Sequence, residues 1–97
     1  MSLVLHEHDR TAETEKGLAQ LTRKEFGILS YLAENVGKII PAEEIYRNVW
    51  HAEPFDYHLV ISVHIRHIRE KIEKDPSRPE YIKVFWGKGY SCSSQPG

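Results

Sequence analysis

The sequence predicts an α+β domain with an N-terminal antiparallel sheet, a three-helix core and a C-terminal β-hairpin. Three observations predict it. Short extended pieces separated by turn residues occupy 1–21, three stretches of helical period fill 22–74, and two β-rich runs flank Gly87-Lys88-Gly89 within 81–92. The whole of 1–97 reads as one domain, because 97 residues with 40% hydrophobic and 28% charged side chains is ordinary globular composition. A chain this short has one modest core and little space for a deep active-site cavity, which argues against an enzyme.

In the first segment Leu3-Val4-Leu5, Thr11 to Thr14 and Leu18 to Leu21 are the β-leaning pieces, with a turn signal at Glu15-Lys16-Gly17. Leu21-Thr22-Arg23-Lys24-Glu25-Phe26 then opens a helix. The Thr22 hydroxyl can cap the Glu25 amide, Glu25 can reach back, and Leu21 can pack on Phe26 as a hydrophobic staple. Phe26, Leu29, Leu32, Ala33 and Val36 keep helical spacing up to Gly37, which suits the left-handed residue past a helix end, so the first helix covers about 22–35. Ile39-Ile40 is an extended link. Pro41-Ala42-Glu43-Glu44 opens a short second helix with acidic groups near its positive end, and Ile45, Tyr46, Val49 and Trp50 form its apolar stripe. It ends near Trp50, and His51 to Tyr57, interrupted by Pro54, is a loop.

The third helix, about 58–74, is the most informative element. At about 100° per residue Ile65, Ile68 and Ile72 all fall within about 40° of Ile61, a narrow core stripe. Val63, Arg66, His67, Glu70 and Lys74 lie opposite, flanked by Ser62, His64, Arg69 and Lys71. A solvated face explains the charges but leaves the β-branched Val63 directed at water. A DNA major groove accounts for it better, because arginine reads guanine edges or phosphates and an apolar side chain meets a thymine methyl. Asp75-Pro76-Ser77-Arg78-Pro79 stops this helix, Tyr81 to Trp86 and Tyr90 to Cys92 form the hairpin with Lys88 at its tip, and Ser93 to Gly97 is a polar tail expected to fray.

The formal net charge of -1 hides an asymmetry: residues 1–58 carry 6 Lys+Arg against 10 Asp+Glu, and residues 59–97 carry 7 against 4. An anionic partner would therefore meet the C-terminal half. One cysteine, Cys92, forms neither an intramolecular disulfide nor a multi-cysteine metal site, and no apolar run approaches the ~20 residues of a membrane span, so a cytoplasmic protein with no membrane partner is expected. Met1-Ser2-Leu3 lacks the features of a signal peptide and is compatible with an expression scar, in which case the chain is a piece of a longer protein.

A short second helix leading into a basic third one, followed by a hairpin, describes a helix-turn-helix with a wing. Leu21-Thr22-x-x-Glu25-Phe26, Val49-Trp50, Val63-His64-Ile65-Arg66-x-Ile68-Arg69-x-Lys71-Ile72 and Trp86-Gly87-x-Gly89-Tyr90 resemble, in order and spacing over roughly residues 3 to 93, the effector domain of OmpR/PhoB-type response regulators. The resemblance implies a winged helix-turn-helix with a four-stranded N-terminal sheet. It also implies double-stranded promoter DNA as partner, a receiver domain in the full-length protein, a dimer on DNA, and no cofactor, metal or catalytic residue. These 97 residues hold no receiver, so the chain is expected to be the output half of a two-component phosphorelay regulator.

Carried over position by position, the resemblance puts Val63, Arg66 and His67 toward bases and Trp50, His64, Arg69 and Lys71 toward the DNA backbone. Trp86, Lys88 and Tyr90 of the wing would lie along the minor groove or its phosphates. Core packing is an alternative for Trp50, and a purely structural role for Tyr90. In the family the loop after the second helix, here His51 to Tyr57, commonly contacts RNA polymerase; Phe55 is either an exposed anchor or a core residue. Three departures from the usual pattern stand out. His67 replaces a second arginine and so lacks a bidentate fork, Trp86 replaces an arginine before Gly-x-Gly-Tyr, and Pro41 replaces a Ser or Thr cap worth ~1 kcal/mol.

Two other classes compete. His58, His64 and His67 have helical spacing that metal sites use, but no HExxH, cysteine pair or second cluster accompanies them. A winged helix used only for protein interaction would have no need of the Arg66, Arg69, Lys71 and Lys88 set beside Val63.

Overall fold

The computed structural model describes residues 2–95, so Met1 of the proposed scar and Pro96 and Gly97 of the polar tail lie outside the described residues. Three strands, β1 (Val4–His6), β2 (Thr11–Thr14) and β3 (Gly17–Gln20), are followed by helices α1 (Arg23–Glu34), α2 (Ala42–Trp50) and α3 (Tyr57–Ile72), then by β4 (Ile82–Phe85) and β5 (Gly89–Cys92). The N-terminal sheet is an antiparallel meander in the order β1-β2-β3. Its register aligns Leu5, Ala12 and Ala19 on the inner face and Val4, Glu13 and Leu18 on the outer one. The four-stranded sheet implied by the family resemblance is corrected to three strands among the described residues. With turns at 7–10 and 15–16, the chain ahead of α1 has length for only three strands of three or four residues.

The α1 capping box forms as its sequence dictates: the Thr22 hydroxyl accepts from the Glu25 amide at 3.2 Å, and the Thr22 amide donates to Glu25 Oε1 at 2.9 Å. Helix α2 starts at Pro41 without a side-chain cap and ends where His51 adopts a left-handed conformation at φ 54°. Helix α3 lays Ile61, Ile65, Ile68 and Ile72 into the core beside Ile28, Leu29, Leu32, Ile45, Tyr81 and Ile82. It ends two residues before the expected Lys74, for a reason local sequence does not carry. Glu73 leaves helical geometry at φ -83°, ψ 138° while its buried carboxylate accepts hydrogen bonds from the amides of Glu80, Tyr81 and Ile82. Two carbonyls at this end of α3 are capped from the β2–β3 turn: the Thr14 hydroxyl donates to Ile72 O at 2.9 Å, and Lys16 Nζ donates to Glu70 O.

The wing hairpin pairs Phe85 with Gly89 across the Trp86-Gly87-Lys88 turn. It gains a partner in the Ile39-Ile40 link, where Ile40 N–H donates to Tyr90 O at 2.7 Å and Tyr90 N–H donates to Ile40 O at 2.9 Å. This approach requires glycine at 89, since a Cβ there would sit 2.1 Å from Ile40 O and the residue has φ +148°.

Candidate nucleic-acid interface

Arg66 is exposed on the face of α3 opposite the isoleucine stripe, with Val63 and His67 half-buried beside it. Among the described residues neither the Arg66 nor the His67 side chain has a hydrogen bond or ion pair, so both are available to a partner. His64 is different. Its Nδ1 donates to Val60 O at 2.7 Å, which fixes the proton on that nitrogen and leaves Nε2 an acceptor in the neutral ring; Nε2 can donate to a phosphate only when the ring is protonated.

Trp50 joins the three helices. Its indole stacks on Tyr46 at 4.8 Å and 7°, meets the His64 ring edge-on at 5.2 Å, and has Lys24 Nζ over its face at 5.0 Å. It is half-buried, which accommodates both of its expected roles, packing against the core and presenting a polar edge. Lys24 is a cation that the sequence reading did not single out. It lies in the first turn of α1 and also donates to Val49 O at 3.4 Å. Helical periodicity within α1 carries no signal for it, because its place beside Trp50 is set by the packing of α1 on α2.

Arg69 and Lys71 each have a partner within the domain. Lys71 Nζ turns back to the buried Glu25 carboxylate at 2.7 Å, an ion pair across 46 residues. Burial alone would raise the Glu25 pKa, but the Lys71 ammonium and the Thr22 amide outweigh it and hold the carboxyl below its ordinary value. The Arg69 Nε–H donates to Ile82 O at 3.1 Å, and its Nη2 is enclosed without a hydrogen-bond partner among the described residues. Burial lowers this guanidinium's pKa, against the favourable fields of Glu73 and Tyr90. The family resemblance put both cations toward the DNA backbone; helical position alone does not reveal that β4 and α1 lie within reach.

On the wing Trp86 is 89% exposed and Lys88 is exposed, whereas Tyr90 is half-buried and tied to Ile40 through its backbone. Burial raises the Tyr90 phenol pKa, partly opposed by Arg69. An open groove of about 260 Å³ separates the wing from the starts of α2 and α3, with Trp86 and Phe85 on one wall and Pro41 and Tyr57 on the other. In the loop, Phe55 is 78% exposed and so does not close the core; Tyr57 packs partly against it and begins α3. Among the described residues no three His, Cys, Asp or Glu side chains are grouped as metal ligands, and no helix is long and apolar enough to cross a membrane.

Comparison with known proteins places the chain in a family. The family described as transcriptional regulatory protein, C terminal, matches residues 15–92. The uncharacterised transcriptional regulatory protein YcbL of Bacillus subtilis is 52% identical over 71 residues, covering 73% of this chain and 31% of that protein. The response regulator DrrB of Thermotoga maritima, an OmpR/PhoB homologue, superposes with a TM-score of 0.82 at 36% identity, covering 96% of this chain and 42% of that one. The RstA DNA-binding domain of Klebsiella pneumoniae, solved with its RstA box, shares the fold at a TM-score of 0.83 and 22% identity, covering 98% of this chain and 94% of that one. The chain thus spans about a third of the length of the curated relatives it matches. With the capping box, the basic third helix and the wing in the family's order, this chain belongs to the C-terminal transcriptional regulatory domains of OmpR/PhoB response regulators.

Proposed function

We propose that this chain binds double-stranded promoter DNA sequence-specifically, as the non-enzymatic output domain of a cytoplasmic two-component response regulator. One observation carries the reading: Val63, Arg66 and His67 share the accessible face of a helix whose opposite face is core, with the exposed cationic wing tip across a groove from the start of that helix. In the major groove Arg66 would read a guanine edge, Val63 a thymine methyl, and His67 a single donor or acceptor. Trp50, His64 and Lys24 would meet the phosphates at the edge of that groove, and Trp86 and Lys88 the neighbouring minor groove, with Tyr90 anchoring the wing. A relative 44% identical over 71 residues, RpaA of Synechocystis, is described as a DNA-binding dual master transcriptional regulator, which supports the assignment.

Control by a receiver domain elsewhere in the full-length protein, pairing of two copies on repeated half-sites, and contact of the 51–57 loop with RNA polymerase through Phe55 complete the proposal. The experiment is selection from a random duplex library at low salt, followed by sequencing. Enrichment of two half-sites about 10–11 bp apart supports the reading. Absence of both enrichment and bulk duplex binding would refute it for this chain and turn attention to a protein partner.

A further inference from the structure

We infer that Arg69 is a positioning residue that locks the wing to the recognition helix, and that it makes no phosphate contact. The inference rests on the DNA-binding reading above, but its structural basis is independent of DNA. Arg69 and Glu73 lie one turn apart at the end of α3 and together hold both backbone polar groups of Ile82 in β4. The Arg69 Nε–H donates to Ile82 O at 3.1 Å, and the Ile82 N–H donates to Glu73 Oε2 at 2.9 Å. Glu73 also accepts from the Glu80 amide at 2.8 Å and the Tyr81 amide at 3.1 Å. The other strand of the hairpin, β5, is held by the Ile40–Tyr90 bridge. The wing is therefore fastened along both strands, one of them to the last turn of α3.

Two features separate this role from a phosphate contact. The Arg69 Nη2 is enclosed by protein, so reaching a phosphate would require breaking the bond to Ile82 and withdrawing the guanidinium from its site. The second feature is the division of labour: Arg66, three residues earlier, is exposed and unpaired, whereas Arg69 is half-buried and engaged. A helix and a wing that enter adjacent grooves act as two linked contacts, and fixing their separation before binding removes an ordering cost.

The test compares Arg69→Gln with Arg69→Met in the 97-residue chain. Glutamine places an N–H donor at the bond position of the arginine Nε but carries no charge; methionine carries neither donor nor charge. Amide hydrogen exchange is read first. Arg69→Met should speed exchange across residues 80–92 by roughly fivefold or more while α1 keeps its protection, and Arg69→Gln should stay within about twofold of the unaltered chain. Affinity for a duplex selected from the random library is then followed across a salt series. Arg69→Met should lose roughly tenfold in affinity and Arg69→Gln less than about threefold, both with the salt slope of the unaltered chain.

A slope reduced by about 0.9 in both variants would mean that a phosphate contact had been lost, and would overturn the inference. Unchanged wing exchange in a folded Arg69→Met chain would overturn it equally. If Arg69→Met does not fold, the Arg69→Gln salt slope decides alone: a slope equal to that of the unaltered chain upholds the inference, and one reduced by about 0.9 overturns it. Failure of the unaltered chain to bind any duplex defeats the DNA-binding reading, and the exchange comparison still upholds or overturns the clamp.

Discussion

Replacing Gly89 by alanine would place a methyl group 2.1 Å from the carbonyl oxygen of Ile40 and 2.8 Å from Pro41 N, against backbone held on the far side by α2. Neither neighbour is a flexible side chain, so the wing strand must move away from the Ile40 link. Separation breaks the two hydrogen bonds of that bridge, at 2.7 and 2.9 Å, each contributing about 1 kcal/mol net. The φ of +148° adds about 1–3 kcal/mol of backbone strain for a residue with a side chain. The expected loss is about 3–5 kcal/mol, a large share of the stability of a small domain and a fall in melting temperature of more than about 12 °C. Gly87→Ala is the control: its φ is +78°, but nothing lies within 4 Å of an added Cβ, so about 1 kcal/mol and a fall of about 4–8 °C are expected. Urea unfolding of both variants, with midpoint and slope fitted separately, measures the difference. Equal losses would refute the reasoning, because they would show that conformational strain alone acts at both positions and that the Ile40 contact costs nothing.

Other outcomes follow from the same contacts. Lys71→Met strands the buried Glu25 carboxylate and should cost about 1–2 kcal/mol at neutral pH, after discounting for the partial exposure of Lys71. Because the folded Glu25 pKa lies below its ordinary value of 4.5, this contribution is present above about pH 4.5 and lost as pH falls through the folded pKa; the stability difference between the two chains should shrink steadily as pH falls below 4.5, measured by urea unfolding at each pH. Cys92 is 2% exposed, and burial pushes its thiol up to about 12, with Glu73 adding to the effect. Its reaction with a thiol reagent should therefore require unfolding and accelerate with urea; rapid labelling of the native chain would contradict the burial. Arg66→Ala should weaken binding to a selected duplex by about 1–3 kcal/mol and flatten preference at one base pair, while Lys88→Ala should weaken all duplexes alike and lower the salt slope by about 1.

The helical core was legible in the sequence because its information is local. The capping box occupies four consecutive residues, and the stripe of Ile61, Ile65, Ile68 and Ile72 needs only the period of a helix; both form where expected. The wing turn was legible from its glycines, and the exposure of Arg66 from its position opposite that stripe. Phe55 was not decidable in advance, since an aromatic in a seven-residue loop can turn in or out with the same neighbours; it turns out.

What the sequence by itself determined is the element order, the buried stripe of α3 and the polar face opposite it, because periodicity and caps act over a few residues of chain. Only the tertiary structure decided which cations on that helix are available to a partner. Lys71 is drawn to Glu25 and Arg69 to Ile82 by groups 46 and 13 residues away, and Ile40 becomes a third neighbour of the wing through Tyr90. These pairings depend on how helices and strands pack against one another. Distance along the chain does not encode that, and basic side chains on one helix can point outward to solvent, as Arg66 does, or back to a neighbouring element, as Arg69 and Lys71 do.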